Sequence, residues 1–115
     1  TTFNHDFHTA TFLPGRKKTE TPPSVLIAGG THYLGLVPDG SGGEVGASGS
    51  LDASEEYSAW HHEWGYPGVL GTSRVYHTAT RLTSGEVLVV GGYHFDGSDP
   101  EVITTALNST EIYTP

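Results

Sequence analysis

Phe7-His8-Thr9-Ala10-Thr11-Phe12-Leu13 returns as Tyr76-His77-Thr78-Ala79-Thr80-Arg81-Leu82. Working outward from this pair, Val25-Leu26-Ile27-Ala28-Gly29-Gly30 returns as Val87-Leu88-Val89-Val90-Gly91-Gly92, and Ala53-Ser54-Glu55-Glu56-Tyr57 lines up with Ser109-Thr110-Glu111-Ile112-Tyr113. Three short segments recur in the same order, the second of them β-branched and ending in a double glycine, so each copy reads as a small sheet of strands. The chain is predicted to be all-β. If the first two segments of a copy form an antiparallel hairpin, the start of one strand lies beside the end of the other. That places His8 near Gly29-Gly30 and His77 near Gly91-Gly92.

The first copy is longer because of two insertions. Pro14–Pro23 stands where the second copy has only Thr83-Ser84-Gly85-Glu86, and a Gly/Ser-rich stretch, Pro38–Ser50, follows the first double glycine. Proline cannot donate to a ladder and glycine resists ordering, so both insertions read as surface loops that add no strand. Arg16, Lys17 and Lys18 cluster on the first insertion, and a solvated loop tip is the simplest account of such a like-charged run.

Composition narrows the function classes. Sixteen Gly, seven Pro and 35% hydrophobic residues among 115 argue against long helices and leave little apolar material for a core of its own. Thirteen acids against five bases give a formal charge of −8, which repels phosphate backbones and anionic lipid, so nucleic-acid binding is not expected. The longest apolar runs, Val25–Ala28 and Val87–Val90, fall far short of the roughly 20 residues of a membrane-spanning helix. There is no Cys and no Met, which excludes thiol chemistry within the chain. The chain starts at Thr1 with no signal region, which reads as an excised or processed segment. Asn108-Ser109-Thr110 is an N-glycosylation sequon, meaningful in a secreted protein and also common by chance.

The repeat resembles the kelch motif, the four-stranded antiparallel blade of a β-propeller. The resemblance rests on the double glycine ending the second strand, the Glu-x-Tyr ending the third, and Trp64, seven residues after Tyr57, where kelch blades carry a packing Trp. It implies a first blade over residues 1–66 and a second over 67–115 that lacks its fourth strand. Propellers close with roughly four to eight blades. The implied partners are therefore further blades of the same protein or another copy of the chain.

One rim of these blades gathers histidines. Past each double glycine, Thr31-His32-Tyr33 matches Tyr93-His94-Phe95, so His8, His32, His77 and His94 are expected at one end, a plausible place for a metal. Each also has a bland account, in which a residue recurring at one place in both blades serves only to satisfy a neighbouring strand. The copies differ here: Tyr76 with Arg74 upstream stands in one, Phe7 with His5 in the other, and only a phenol can be a ligand.

Arg74-Val75-Tyr76-His77, the Val87–Gly92 segment and Glu111–Pro115 are similar to the propeller of galactose oxidase and the related glyoxal oxidases, secreted copper radical oxidases. Phe7-His8-Thr9 before Pro14-Gly15 matches a neighbouring blade of that family. The resemblance implies that Tyr76 supplies an axial phenolate, also the catalytic base, and His77 an equatorial imidazole to copper. It further implies alcohol or aldehyde oxidation with reduction of dioxygen to peroxide. The remaining family ligands, a second His and a Tyr linked to Cys, have no place in this Cys-free chain. Adjacent strand residues face opposite ways, so Tyr76 and His77 reach one ion only where the strand ends or bulges. The competing class is a non-catalytic kelch module for protein binding or structural assembly.

Three other motifs read as structure. His61-His62-Glu63 has no second ligand pair, and an exposed fourth strand with Trp60, His62 and Trp64 facing inward is the expectation there. Asp96–Glu101 lacks the calcium-loop pattern and reads as a turn. Gly40–Gly43 has no Lys or helix to make a phosphate loop.

Overall fold

The structure is a computed structural model and describes residues 4–95 and 104–115. The chain is all-β, with several antiparallel sheets and no helix among the described residues. Its strands are β1 (Thr9–Leu13), β2 (Ser24–Ala28), β3 (Thr31–Pro38), β4 (Glu44–Ser50), β5 (Ser54–Ser58) and β6 (Glu63–Gly65), then β7 (Thr78–Arg81), β8 (Val87–Val90), β9 (Tyr93–Phe95), β10 (Thr104–Ala106) and β11 (Thr110–Tyr113). One sheet has the order β1-β2-β5-β6 and another the order β11-β8-β7, while β3-β4 and β9-β10 are separate hairpins. We call the part built on β1, β2 and β5 the first unit and the part built on β7, β8 and β11 the second.

The repeat holds to the level of single hydrogen bonds. Thr9 faces Ala28, which faces Ser54, and their counterparts Thr78, Val90 and Thr110 are in the same register. The amide of Gly29 bonds the Ala53 carbonyl at 3.0 Å and that of Gly91 bonds Ser109 at 3.1 Å; Leu51 N–H to Gly30 O at 2.7 Å is matched by Leu107 N–H to Gly92 O at 2.9 Å. Reciprocal backbone bonds also join Asp6 to Thr31 and Val75 to Tyr93. Register is tightly specified wherever one face is buried, since a slip by one residue exchanges the faces. Here Leu13, Leu26, Leu70, Val87 and Val89 make that buried face, with Ala79 and Tyr113 packed against it. The core thus lies between the two sheets and belongs to both.

Two expectations are corrected. Pro38–Ser50 is not a loop throughout: Glu44–Ser50 forms β4, paired along its length with β3. The small residues permit this. A Cβ at Gly46 would stand 3.2 Å from the Tyr33 ring, so glycine makes room for an aromatic crossing the hairpin. Asp39 closes the turn by accepting the amides of Ser41 at 2.8 Å and Gly43 at 3.0 Å. The insertion between β1 and β2 does remain outside the sheets, apart from an isolated bridge between Arg16 and Thr21.

The second correction concerns β6. It is a three-residue edge strand with both faces wet, so Trp60 and Trp64 stay exposed at 62% and 41%. His62 lies in the preceding turn at φ 55° and is exposed, not inward-facing. Trp64 is opposite Tyr57 in register, with ring centroids 5.1 Å apart. The Asp96–Glu101 turn lies outside the described residues.

Candidate functional site

The two repeated histidines flank the join between the units, and backbone strain sets them there. Phe7 at φ 57° and Tyr76 at φ 56° both take the left-handed conformation that bulky residues rarely adopt. Each residue therefore sits off the ladder just before its strand begins. Both aromatics are 59% exposed, and their rings meet at 4.7 Å. The requirement that Tyr76 and His77 stand where the strand is broken is met. It is met equally at Phe7, which no metal could use.

His77 is buried, and it is held by the other unit. Its Nε2 is 2.9 Å from the hydroxyl of Thr9, and its ring lies where a side chain on Gly29 would be, with Cε1 at 2.7 Å from that Cβ position. Only glycine fits this place, at φ 61° and with the Arg74 carbonyl 2.5 Å from the same position. Burial pushes His77 below the ordinary imidazole pKa, the Arg74 guanidinium adds to this, and the carbonyls of Arg74 and Ala28 oppose it. The ring is therefore neutral at pH 7. Nδ1 is buried without a hydrogen bond of its own.

Behind each histidine lies a buried nitrogen-bearing side chain paired with a glutamate. Arg74, fully buried, donates to Gly91 O at 2.9 Å, to Ser109 Oγ at 3.1 Å and to Glu111 Oε2 at 2.6 Å. Glu111 also accepts the amides of Gly71 and Thr72. In the first unit, His5 Nδ1 bonds Gly29 O at 2.7 Å and Nε2 bonds Glu55 Oε2 at 3.1 Å, with Glu55 fully buried. The two arrangements are the same design: a nitrogen-bearing side chain two residues before the strained aromatic joins the first glycine of the pair to the third-strand glutamate.

The join has further bonds. Gly30 N–H reaches Arg74 O at 2.8 Å, Arg74 N–H reaches Leu51 O at 3.0 Å and Tyr113 donates its hydroxyl to Glu56 at 2.9 Å. Burial and this carboxylate both raise the Tyr113 pKa, so the phenol stays protonated and donates.

Neither a protein-family model nor a curated protein matches the chain.

The four expected rim histidines do not form one cluster. His8 is exposed with Nδ1 on the His5 carbonyl, and His94 Nδ1 is 2.7 Å from Ser73 Oγ in a network with Ser50 that ties β4 to β9. His32 has its Nδ1 buried without a partner. No group of three or more His, Cys, Asp or Glu side chains with metal-binding geometry occurs among the described residues. Asn108 is exposed in the loop before β11. No helix of the described residues is long and apolar enough to cross a membrane.

Sequence reasoning passed over Thr9, Gly29 and the His5–Glu55 and Arg74–Glu111 pairs as functional groups. The signal was present, since the alignment that pairs His8 with His77 also pairs His5 with Arg74 and Glu55 with Glu111.

Proposed function

We propose that the chain is two adjoining kelch-type blades of a secreted copper radical oxidase, in which Tyr76 and His77 hold a copper ion whose other ligands come from further blades. The observation that carries the reading is the break at Tyr76, φ 56°, which frees an exposed phenol beside a neutral imidazole. As donors the two make a neutral nitrogen and an oxygen, which suit two positions of a Cu(II) site, and metal binding at Nε2 would displace the Thr9 hydroxyl. The resemblance to galactose and glyoxal oxidases supplies the rest: bound copper provides the oxidation of a primary alcohol or aldehyde with dioxygen reduced to peroxide. The chain's own part is to orient the imidazole through the space at Gly29, and to offer the Tyr76 oxygen as acceptor for the substrate hydroxyl proton.

A second reading, a non-catalytic blade pair serving binding or assembly, is favoured by one observation. Phe7 repeats the Tyr76 conformation without any ligand atom, so the break alone is explained by what each blade needs. Copper titration of the 115-residue chain separates the two. The oxidase reading predicts a phenolate-to-copper absorption band that disappears in Tyr76→Phe and weakens at least tenfold in binding in His77→Ala; a Cu(II) signal indifferent to both substitutions would contradict it.

A further inference from the structure

We propose that the cleft between the Pro14–Pro23 insertion and the β7–β8 turn binds a small carboxylate that also bears hydroxyl groups, a sugar acid being the plainest case. It lies at the end of the strands away from His77 and does not depend on the copper reading. The cleft measures about 270 Å³, and both units wall it: Arg16, Thr21 and Glu56 from the first, Arg81 and Thr83 from the second. Pockets for drug-sized molecules run to roughly 300–1,000 Å³, so this one suits a smaller ligand.

The two arginines are placed there by the backbone. Arg81 is the last residue of β7 and stands opposite Val87 in register. Directly paired residues share a face, so Arg81 leaves the sheet on the side of the fully buried Val87, where Ala79 also packs against the core. Its guanidinium emerges at the rim between the units. Arg16 comes from the other side. Reciprocal backbone bonds with Thr21, at 3.0 and 3.2 Å, pin it in the insertion, and its Nη2 lies 3.0 Å from where a Cβ on Gly85 would stand. That guanidinium thus reaches across to the turn of the second unit.

Neither guanidinium has an acid of its own. The chain carries thirteen acids, yet among the described residues the side chains of Arg16 and Arg81 make no ion pair and no hydrogen bond. Arg74, the third arginine, is by contrast held by Gly91, Ser109 and Glu111. Glu56 is the one acid on the described walls, and its two oxygens accept the hydroxyls of Ser24 and Tyr113. Those two donors hold it off the arginines and leave it lone pairs for the hydroxyls of a ligand. Two guanidiniums and one carboxylate give the cleft one net positive charge, which a monocarboxylate balances and a phosphate dianion exceeds. A planar carboxylate also matches the guanidinium fork, while Glu56 and the Thr83 hydroxyl face the rest of the molecule. The bound acid would bridge the two units.

Calorimetric titration of the full chain with D-glucuronate, D-glucose and inorganic phosphate is the test. Glucuronate is expected to bind at one site and to raise the unfolding temperature, because it ties the units of the folded state together. Arg16→Ala and Arg81→Ala remove exposed side chains and leave the Arg16 backbone bonds and the β7 ladder in place. Each is expected to weaken glucuronate binding at least tenfold. Arg81→Lys keeps the charge, loses the fork, and is expected to weaken it as well. Glucose and phosphate should each bind at least tenfold more weakly than glucuronate. No glucuronate binding by wild type at millimolar concentration, binding indifferent to both alanine variants, or glucose or phosphate bound as tightly as glucuronate would each overturn the proposal.

Discussion

The first unit seats an imidazole where the second seats a guanidinium. His5 and Arg74 hold the same two partners, the first glycine of the pair and the third-strand glutamate, yet Arg74 adds Ser109 and is fully buried. A guanidinium offers five donors in a fixed fork, whereas an imidazole has only two ring nitrogens to bond with. One fold position thus carries a many-donor lock in one unit and a two-nitrogen lock in the other. The difference teaches that the repeat conserves the geometry of the join and leaves its chemistry free to vary.

Removing each lock breaks this comparison most severely. Arg74→Ala leaves Glu111 and the Gly91 carbonyl without their buried partner and is expected to cost about 3–5 kcal/mol in urea unfolding. His5→Ala, which strips fewer bonds from a smaller group, is expected to cost about 1–3 kcal/mol. Equal losses, or the reverse order, would show that the two are not the same device at different strengths.

A gentler comparison is between Gly29 and Gly91, whose φ values of 61° and 64° are nearly equal. Alanine at either pays about 1–2 kcal/mol for the left-handed backbone. At Gly29 it also meets the Arg74 carbonyl and the His77 ring, which adds about 1–3 kcal/mol of overpacking, while at Gly91 it meets nothing closer than 3.6 Å among the described residues. Thermal unfolding in dilute solution measures the gap, and the same loss at both positions would remove the claim that Gly29 holds the units together.

Much of this was legible before any coordinates, because a repeat aligns strands without needing their partners. The antiparallel pairing of the first two strands in each copy and the nearness of each histidine to its double glycine followed from it. What stayed hidden had physical reasons. The β4 strand hides behind Gly46 and Gly49, whose composition says loop while β4 pairs with β3 and Tyr33 packs across Gly46. At the exposed outer strand β6 it was the side-chain direction that stayed hidden, since Trp60 and Trp64 look like core by residue type and sit at a wet edge by topology. The pairs His5–Glu55 and Arg74–Glu111 span 50 and 37 residues, and no local pattern announces a contact at that range. The partnership of His77 with Thr9 crosses from one copy to the other, whereas the repeat compares like with like and is silent on what passes between copies.

The smallest effect is the most direct test of the join. His77 owes its lowered pKa first to burial by the first unit. In the unfolded chain the ring takes up its proton near 6.5, and in the folded chain only at lower pH. The unfolded state therefore binds more protons below 6.5, and the stability His77 contributes is whole above that value and lost as pH falls through it. Titration of the His77 ring by nitrogen-15 NMR in the folded protein reads this without ambiguity. The account predicts a midpoint below 6.5 with the ring neutral at pH 7; a midpoint at or above 6.5 would mean that the imidazole is not seated in the Gly29 space, and the two units are not joined as described.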